Sequence, residues 1–546
     1  MRRQILLLLA LFTLLGINAR QRSLNEMQQA AAKALGNQSR IKKSMGTKPM
    51  GTIKMLKEMP SVSILGYDKG GFAIIANDDN YEAVLGYSNT NYSDQLPDGL
   101  QWWLKEMNET LSANKYPVRK TTVNTSLYKA SVEPMIGTKW GQGSPYNDQC
   151  PNKYPTGCVA TAVSQIMWYY KYPKQGSGST MDFDQVIFVD YSKTTYDFAN
   201  MLPVYTKDHY TPVQAKAVST LMYHTGVACK MNYASGGSGT NYFDAAIALR
   251  DNFTYNKNLS VKLRQFYTDQ EWMDMVYNEL SNGRPILYGG ADGQNGHAFV
   301  FEGYNTDGLV YVNWGWDGSS DGYYNMDLVN PSDTKYSFSE GQDMIIGFCK
   351  PDVSIPRSTT LGAEADLKLS VESGKIVFDF GEDFNVYNIN DYTFDGTINL
   401  IAKDQRNQRT ILWSTDEITF KSLSGGNYKQ KFYIEVPTSL ADGTYTLYLA
   451  SIEKGYKESI PVAYGNDKVK EYTLTKTGNT IELKSNSTTA IKNINANKSL
   501  SPYTYIYNMQ GQEVYKSKTQ DFCLDDVPAH GVLIVKQGDT TRKVVK

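Results

Sequence analysis

The chain has 546 residues, too many for one hydrophobic core, so it is expected to divide into about three or four domains. With 55 basic against 56 acidic residues, a net charge of -1 and a hydrophobic content of 41%, it has enough apolar material for packed cores. This balance excludes wholesale disorder and leaves no global footprint for nucleic acid or an anionic membrane.

Arg2 and Arg3 precede an apolar run from Ile5 to Ile17 and then Asn18-Ala19, which predicts a secretory signal over residues 1–19. The run is about 13 residues, too short to span hydrocarbon. The mature chain is therefore expected outside the cytoplasm, secreted or on an outer cell surface, with no transmembrane segment. Residues 20–129 read as a compact α+β unit: a helix from Asn25 to Leu35, short strands between Val62 and Tyr87, and a helix from Leu100 to Leu111. Residues 130–352 mix a strong helix, glycine-rich loops and paired strands, and the candidate chemistry is concentrated there. Residues 353–484 carry short alternating strands, as in Tyr428 to Val436 and Gly443 to Ala450, which suits a β-sandwich. Residues 485–546 begin as a Ser/Asn/Thr linker and continue into three or four short strands. No internal repeat, nucleotide loop or heptad run is present.

Cys158 leads a segment whose apolar residues at 159, 162, 163, 166, 167 and 170 follow the helical period, ending near Tyr172-Pro173. The cysteine thus falls in the first turn of a helix, where free backbone N–H groups and the positive end of the dipole favour a thiolate. The other reading is a small residue packing a helix start. The remaining cysteines, Cys150, Cys229, Cys349 and Cys523, are too scattered for a disulfide scaffold and either pair or stay reduced.

Only 4 histidines need testing. His209 and His224 lie in polar or helical stretches and His530 among the C-terminal strands. His297 alone follows a glycine-rich approach, Tyr288 to Gly296, and opens the strand His297 to Tyr304; Leu309 to Trp316 looks like its hairpin partner. If Tyr304 pairs with Leu309, His297 faces Trp316, Trp314 shares its side, and Asn313 turns to the other; a slip of one residue reverses this. Either Asn313 hydrogen-bonds the imidazole or the tryptophans wall it in.

The ordered pieces Trp140 to Asn147, Thr156-Gly-Cys-Val-Ala-Thr161 with Gln165-Ile-Met, Gly296-His-Ala-Phe-Val300 and Val312-Asn-Trp-Gly-Trp316 resemble the streptopain family of papain-like cysteine peptidases. The resemblance implies a papain-like catalytic domain in an α+β chain, preceded by an α+β propeptide and followed by all-β domains. It implies Cys158 as nucleophile, His297 as general base and acid, and Gln142 as a side-chain oxyanion donor beside the Cys158 N–H. Asn313 has the spacing of the orienting asparagine of papain-like enzymes, while Trp314 is positioned to share or replace that duty as orienter or shield. Residues 20–129, with Gly71 to Asn77 and Ala83 to Ser88, look like an inhibitory propeptide removed near Lys129-Ala130. The tail, with Ile506 to Val514, Gly531 to Val535 and Lys543 to Lys546, is similar to sorting domains of the type IX secretion route.

The expected partners are protein or peptide substrates, the chain's own propeptide and, through the tail, a secretion machinery. No cofactor or metal is expected, since the chain has no His-Glu-x-x-His and Cys150 and Cys158 lack a close Cys-x-x-Cys spacing. The loops Ser235 to Gly239 and Gly289 to Gly296 either line a peptide groove or serve as connections. Two rival readings stand beside a self-activating endopeptidase: a papain-like amidase or acyl transferase, and an inert peptidase-like adhesin.

Overall fold

The computed structural model describes residues 20–37, 51–112, 123–292, 296–327, 340–358, 361–381, 384–465 and 468–486, together with four C-terminal strands. The expected signal segment, Cys523 and His530 lie outside the described residues. The chain is α+β and separates into two units, 1–488 and 489–546.

In the first unit, helix α1 (Leu24–Asn37) is followed by four strands, β1 (Lys54–Glu58), β2 (Val62–Gly66), β3 (Phe72–Ala76) and β4 (Val84–Ser88), and by helix α2 (Asp98–Ser112). Next come α3 (Cys158–Tyr170), the hairpin β5 (Ser179–Asp182) and β6 (Ile187–Asp190), α4 (Pro212–Ala228), α5 (Tyr242–Asp251), β7 (Ser260–Leu263) and α6 (Asp269–Ser281). Strands β8 (Ile286–Asp292), β9 (Gly296–Tyr304), β10 (Val310–Asn313), β11 (Gly322–Tyr324) and β12 (Glu340–Ile346) complete this part. The local signals are conventional: Thr211 with Gln214 and Thr268 with Glu271 form capping boxes on α4 and α6, and Asn241 caps α5.

One ten-stranded sheet, ordered β1-β2-β3-β4-β11-β10-β9-β8-β12-β7, joins the N-terminal strands to those of the central unit. The seam is the antiparallel pair β4–β11, with Tyr87 opposite Tyr323. Apolar burial crosses it without a break: Phe72, Trp102 and Trp103 share one core with Val159, Ile166, Phe299 and Trp314. The Trp103 indole, fully buried, donates to the Asn325 carbonyl at 2.9 Å.

From 361 onwards the chain forms three antiparallel-rich sheets around a separate core that includes Phe378, Phe394, Leu400 and Leu447. It meets the central unit through side chains such as the Arg250–Asp391 and Lys470–Glu271 ion pairs. The second unit is a four-stranded antiparallel sheet of Glu513–Ser517, Thr504–Tyr507, Val532–Gln537 and Thr540–Val545. Among the described residues no helix is long and apolar enough to cross a membrane.

Candidate active site

Cys158 is the first residue of α3, whose inward face of Val159, Ala162, Val163, Ile166 and Met167 is buried. The turn before it depends on Gly157, at φ +85: a side chain there would be strained and its Cβ would fall 2.7 Å from Met231 and 2.8 Å from the Ser238 carbonyl. Ser238 in turn donates to the Pro155 carbonyl at 2.6 Å, so the loop expected to line or connect is bound to the cysteine turn. Gln142 is placed beside that turn, since its carbonyl accepts the Thr156 N–H at 3.2 Å.

His297 is the second residue of β9 and faces Gly290 on β8. The Ala298 N–H, one residue along, lies near enough to the Cys158 thiol to favour its anion. Residues 158 and 297, far apart in sequence, therefore belong to one locus. The sequence-level expectation of a thiol biased toward its anion does not hold in this form of the chain. Burial pushes the Cys158 thiol up, and Asp98 adds to that, while the N–H groups of Ala298, Val159 and Cys158 itself pull it down. Asp98 is the N-terminal residue of α2, and α2 lies across the site: a Cβ on Gly99 would meet the Trp314 ring at 2.9 Å and Phe299 at 3.0 Å, and one on Gly290 would meet the Trp102 ring at 2.2 Å. Trp102 thus stands on the face of the sheet that His297 occupies.

The β9–β10 register decides between the two candidate orienters. Val310 faces Tyr304 and Tyr311 faces Gly303, then a bulge at Glu302 shifts the pairing so that Val312 faces Phe301 and Asn313 faces Val300. Alternation then puts Asn313 on the side opposite His297 and Phe299. Its amide is fully engaged elsewhere, donating to the Thr138 carbonyl at 2.8 Å and Gln165 Oε1 at 3.1 Å and accepting from Gln165 Nε2 and the Gly315 N–H. Asn313 as an orienter of His297 is therefore corrected: it ties β10 to α3 and to the segment at Thr138. Trp314 lies on the His297 side, with its ring 4.7 Å from Phe299 and its indole donating to the Ser320 carbonyl at 3.1 Å.

The other described histidines are accounted for structurally. His224 is buried among Tyr191, Tyr196 and Tyr223, and burial lowers its pKa to about 4, so it is neutral near pH 7. His209 is exposed beside the Lys207 carbonyl. Cys150, Cys229 and Cys349 are unpaired.

Sequence reading missed four residues at this locus: Asp98, Trp102, Tyr242 and Asp343. An acid just before an apolar strand (Asp343-Met-Ile-Ile) was the one local signal for the last; the others depend on long-range packing.

The chain is similar to known proteins over its N-terminal and central parts. A family model described as Peptidase C10 family matches residues 140–324, and one described as Spi protease inhibitor matches residues 20–111. The chain is 35% identical over 311 residues to the thiol protease/hemagglutinin PrtT of Porphyromonas gingivalis, a match covering 51% of this chain and 36% of that protein. It is 29% identical over 294 residues to streptopain of Streptococcus pyogenes, covering 48% of this chain and 73% of that protein. The chain thus spans only about a third of PrtT and most of streptopain. A solved fragment of Prevotella intermedia prointerpain A, a cysteine-to-alanine mutant, superposes with a TM-score of 0.52 at 41% identity, covering 55% of this chain and 99% of that one. With its fold, its motifs and these relatives in agreement, the chain belongs to the C10 family of cysteine peptidases and carries an inhibitor domain of the Spi type ahead of its peptidase unit.

Proposed function

We propose that this chain is the zymogen of an exported cysteine endopeptidase that hydrolyses peptide bonds in proteins through Cys158 and His297. The observation that carries this reading is the Ala298 N–H beside the Cys158 thiol, which ties the helix of the nucleophile to the strand of the imidazole. The Cys158 thiolate adds to the substrate carbonyl, and the Cys158 N–H and the Gln142 side chain donate to the resulting oxyanion. His297 hands its proton to the departing amine as the C–N bond breaks, leaving a thioester. His297 then removes a proton from water, the hydroxide adds to the thioester, and the thiolate leaves with a free carboxylate product. Trp314 shields the imidazole from water on the face it shares with Phe299.

In the precursor, residues 20–129 hold the site closed. Helix α2 places Asp98 near the thiol and Trp102 near His297, which keeps the sulfur protonated and the groove filled. Activation cuts the exposed chain near Lys129-Ala130. The Lys129 carbonyl accepts from Tyr304 at 2.6 Å, so this stretch must first lift from the peptidase surface. The domain limits that follow are 1–19, 20–129, 130–352, 353–484 and 485–546, the last serving as a secretion sorting domain. Deleting 485–546 should then retain the chain inside the cell while leaving cleavage chemistry intact.

The test is mass spectrometry of purified precursor over time, wild type against Cys158→Ala. The wild type should shorten at one site near residue 129, and the variant should stay whole and hydrolyse no denatured protein. Undiminished proteolysis by the variant overturns the assignment. Peptide bonds left intact while small amides are cleaved moves the chain to the amidase reading.

A further inference from the structure

Helix α5 opens with Tyr242, whose side chain reaches strand β8: a Cβ on Gly289 would fall 1.8 Å from the Tyr242 hydroxyl, so only glycine leaves it room. That hydroxyl is buried and has no hydrogen-bond partner among the described residues. Gly289 has two cross-strand neighbours, Asp343 on β12 and Ala298 on β9. Paired residues share a face of the sheet, so Asp343, Ala298 and the Tyr242 hydroxyl lie on one side of it. Burial, then the Cys158 thiol, then Asp343 push the Tyr242 phenol well up, so the thiol and the carboxyl lie within electrostatic reach of it. The Asp343 carboxyl is half-buried, burial pushes its pKa up to about 7, and no donor or cation among the described residues offsets this.

A buried phenol without a partner, on the same side of the sheet as a half-buried carboxylate, is costly, and neither group belongs to the proposed Cys158–His297 chemistry. A side chain with several N–H donors and a positive charge answers both at once, since the carboxylate and the phenol oxygen each accept. An aliphatic side chain answers neither.

We propose that Tyr242 and Asp343 form the polar end of a substrate subsite beside Cys158 that takes an Arg or Lys side chain of the polypeptide being cleaved. This deepens the peptidase reading and rests on it. The subsite is a specificity device: it touches substrate but not the reacting atoms.

The experiment uses activated enzyme and a peptide library in which each position flanking the cut is varied among Arg, Lys, Leu and norleucine. At one position the wild type should prefer the basic residues. In Asp343→Asn the ratio of kcat/KM for Arg over Leu at that position should fall by about ten-fold or more, mainly through KM, and in Tyr242→Phe by about three-fold. Both substitutions are nearly isosteric, and circular dichroism of each precursor checks folding. A wild type indifferent to basic residues at every position overturns the proposal, as does a ratio in Asp343→Asn within about two-fold of wild type. Variants that lower thermal stability without moving the ratio also overturn it, because the phenol and carboxyl then merely bond to each other. A wild type that cleaves no peptide in the library removes the peptidase reading and this subsite together, whereas an unmoved ratio in an active enzyme removes the subsite alone.

Discussion

The regions on either side of the peptidase unit are attached to it in opposite ways. The N-terminal region, expected to be discarded, is the more deeply integrated: its four strands extend the peptidase sheet and its Trp102 and Trp103 enter the peptidase core. The sandwich after residue 361, expected to stay, has a core of its own and meets the peptidase through a seam that combines the Arg250–Asp391 and Lys470–Glu271 ion pairs with a few apolar residues, Ile389 and Ala463, that join the peptidase core. The difference separates inhibition from architecture. A region that shares both core and sheet resists dissociation until it is cut, whereas one whose core is mostly its own depends far less on the seam.

Four substitutions probe this contrast. The largest effect belongs to Cys158→Ala, which should lower peptide hydrolysis by about four orders of magnitude or more and hold the precursor uncut, read by progress curves and by intact mass. Next, Trp103→Ala opens a cavity in the shared core and leaves the Asn325 carbonyl without its indole donor; it should cost about 4 kcal/mol in precursor unfolding and let the site leak activity before cleavage. If the precursor's unfolding midpoint does not move, the shared core is not what holds the N-terminal region down. Third, Asp391→Ala leaves Arg250 facing the seam without its carboxylate and should cost about 3 kcal/mol. The loss should appear as two separated calorimetric transitions where the wild type has one, since each side keeps its own core.

The smallest effect is one of pH. Glu302, at the bulge of β9, accepts the Ile136 N–H at 2.7 Å, yet burial outweighs that bond and raises its pKa from 4.5 to about 7. Between those values the folded chain holds a proton that the unfolded chain has released, so folding stability falls as pH rises through that window. The contribution is full below about 4.5 and gone above about 7. Glu302→Gln should remove about 2 kcal/mol of this loss, measured as a smaller drop in urea midpoint between pH 5 and pH 8. Asp321, raised to about 8, slopes the same way and is left in place as an internal comparison.

Much of the local structure was legible in the sequence. The period of apolar residues after Cys158 gave the helix, which runs Cys158–Tyr170 and stops before Pro173. The His297 strand and its hairpin partner were also readable, and the pairing beyond Glu302 matches the register that sets Asn313 and His297 on opposite faces. The bulge itself was not, because it answers to a buried carboxylate that draws on the Ile136 N–H from a distant segment. The state of the thiol was misread for a related reason. A helix terminus is a local feature, but the burial that outweighs it is a matter of tertiary packing, and the charge that adds to it, Asp98, comes from a helix some 50 residues earlier in the chain. The juxtaposition of Tyr242 and Asp343 was invisible because Gly289, the residue that brings them together, is only a turn former until its strand pairs on both sides.

The seam between β4 and β11 has a last consequence. Once the N-terminal region departs, Gly322–Tyr324 becomes a bare margin of the sheet, the kind of surface that templates aggregation when it is long and flat. At 3 residues, with a glycine at one end, it offers too little ladder to recruit a foreign strand.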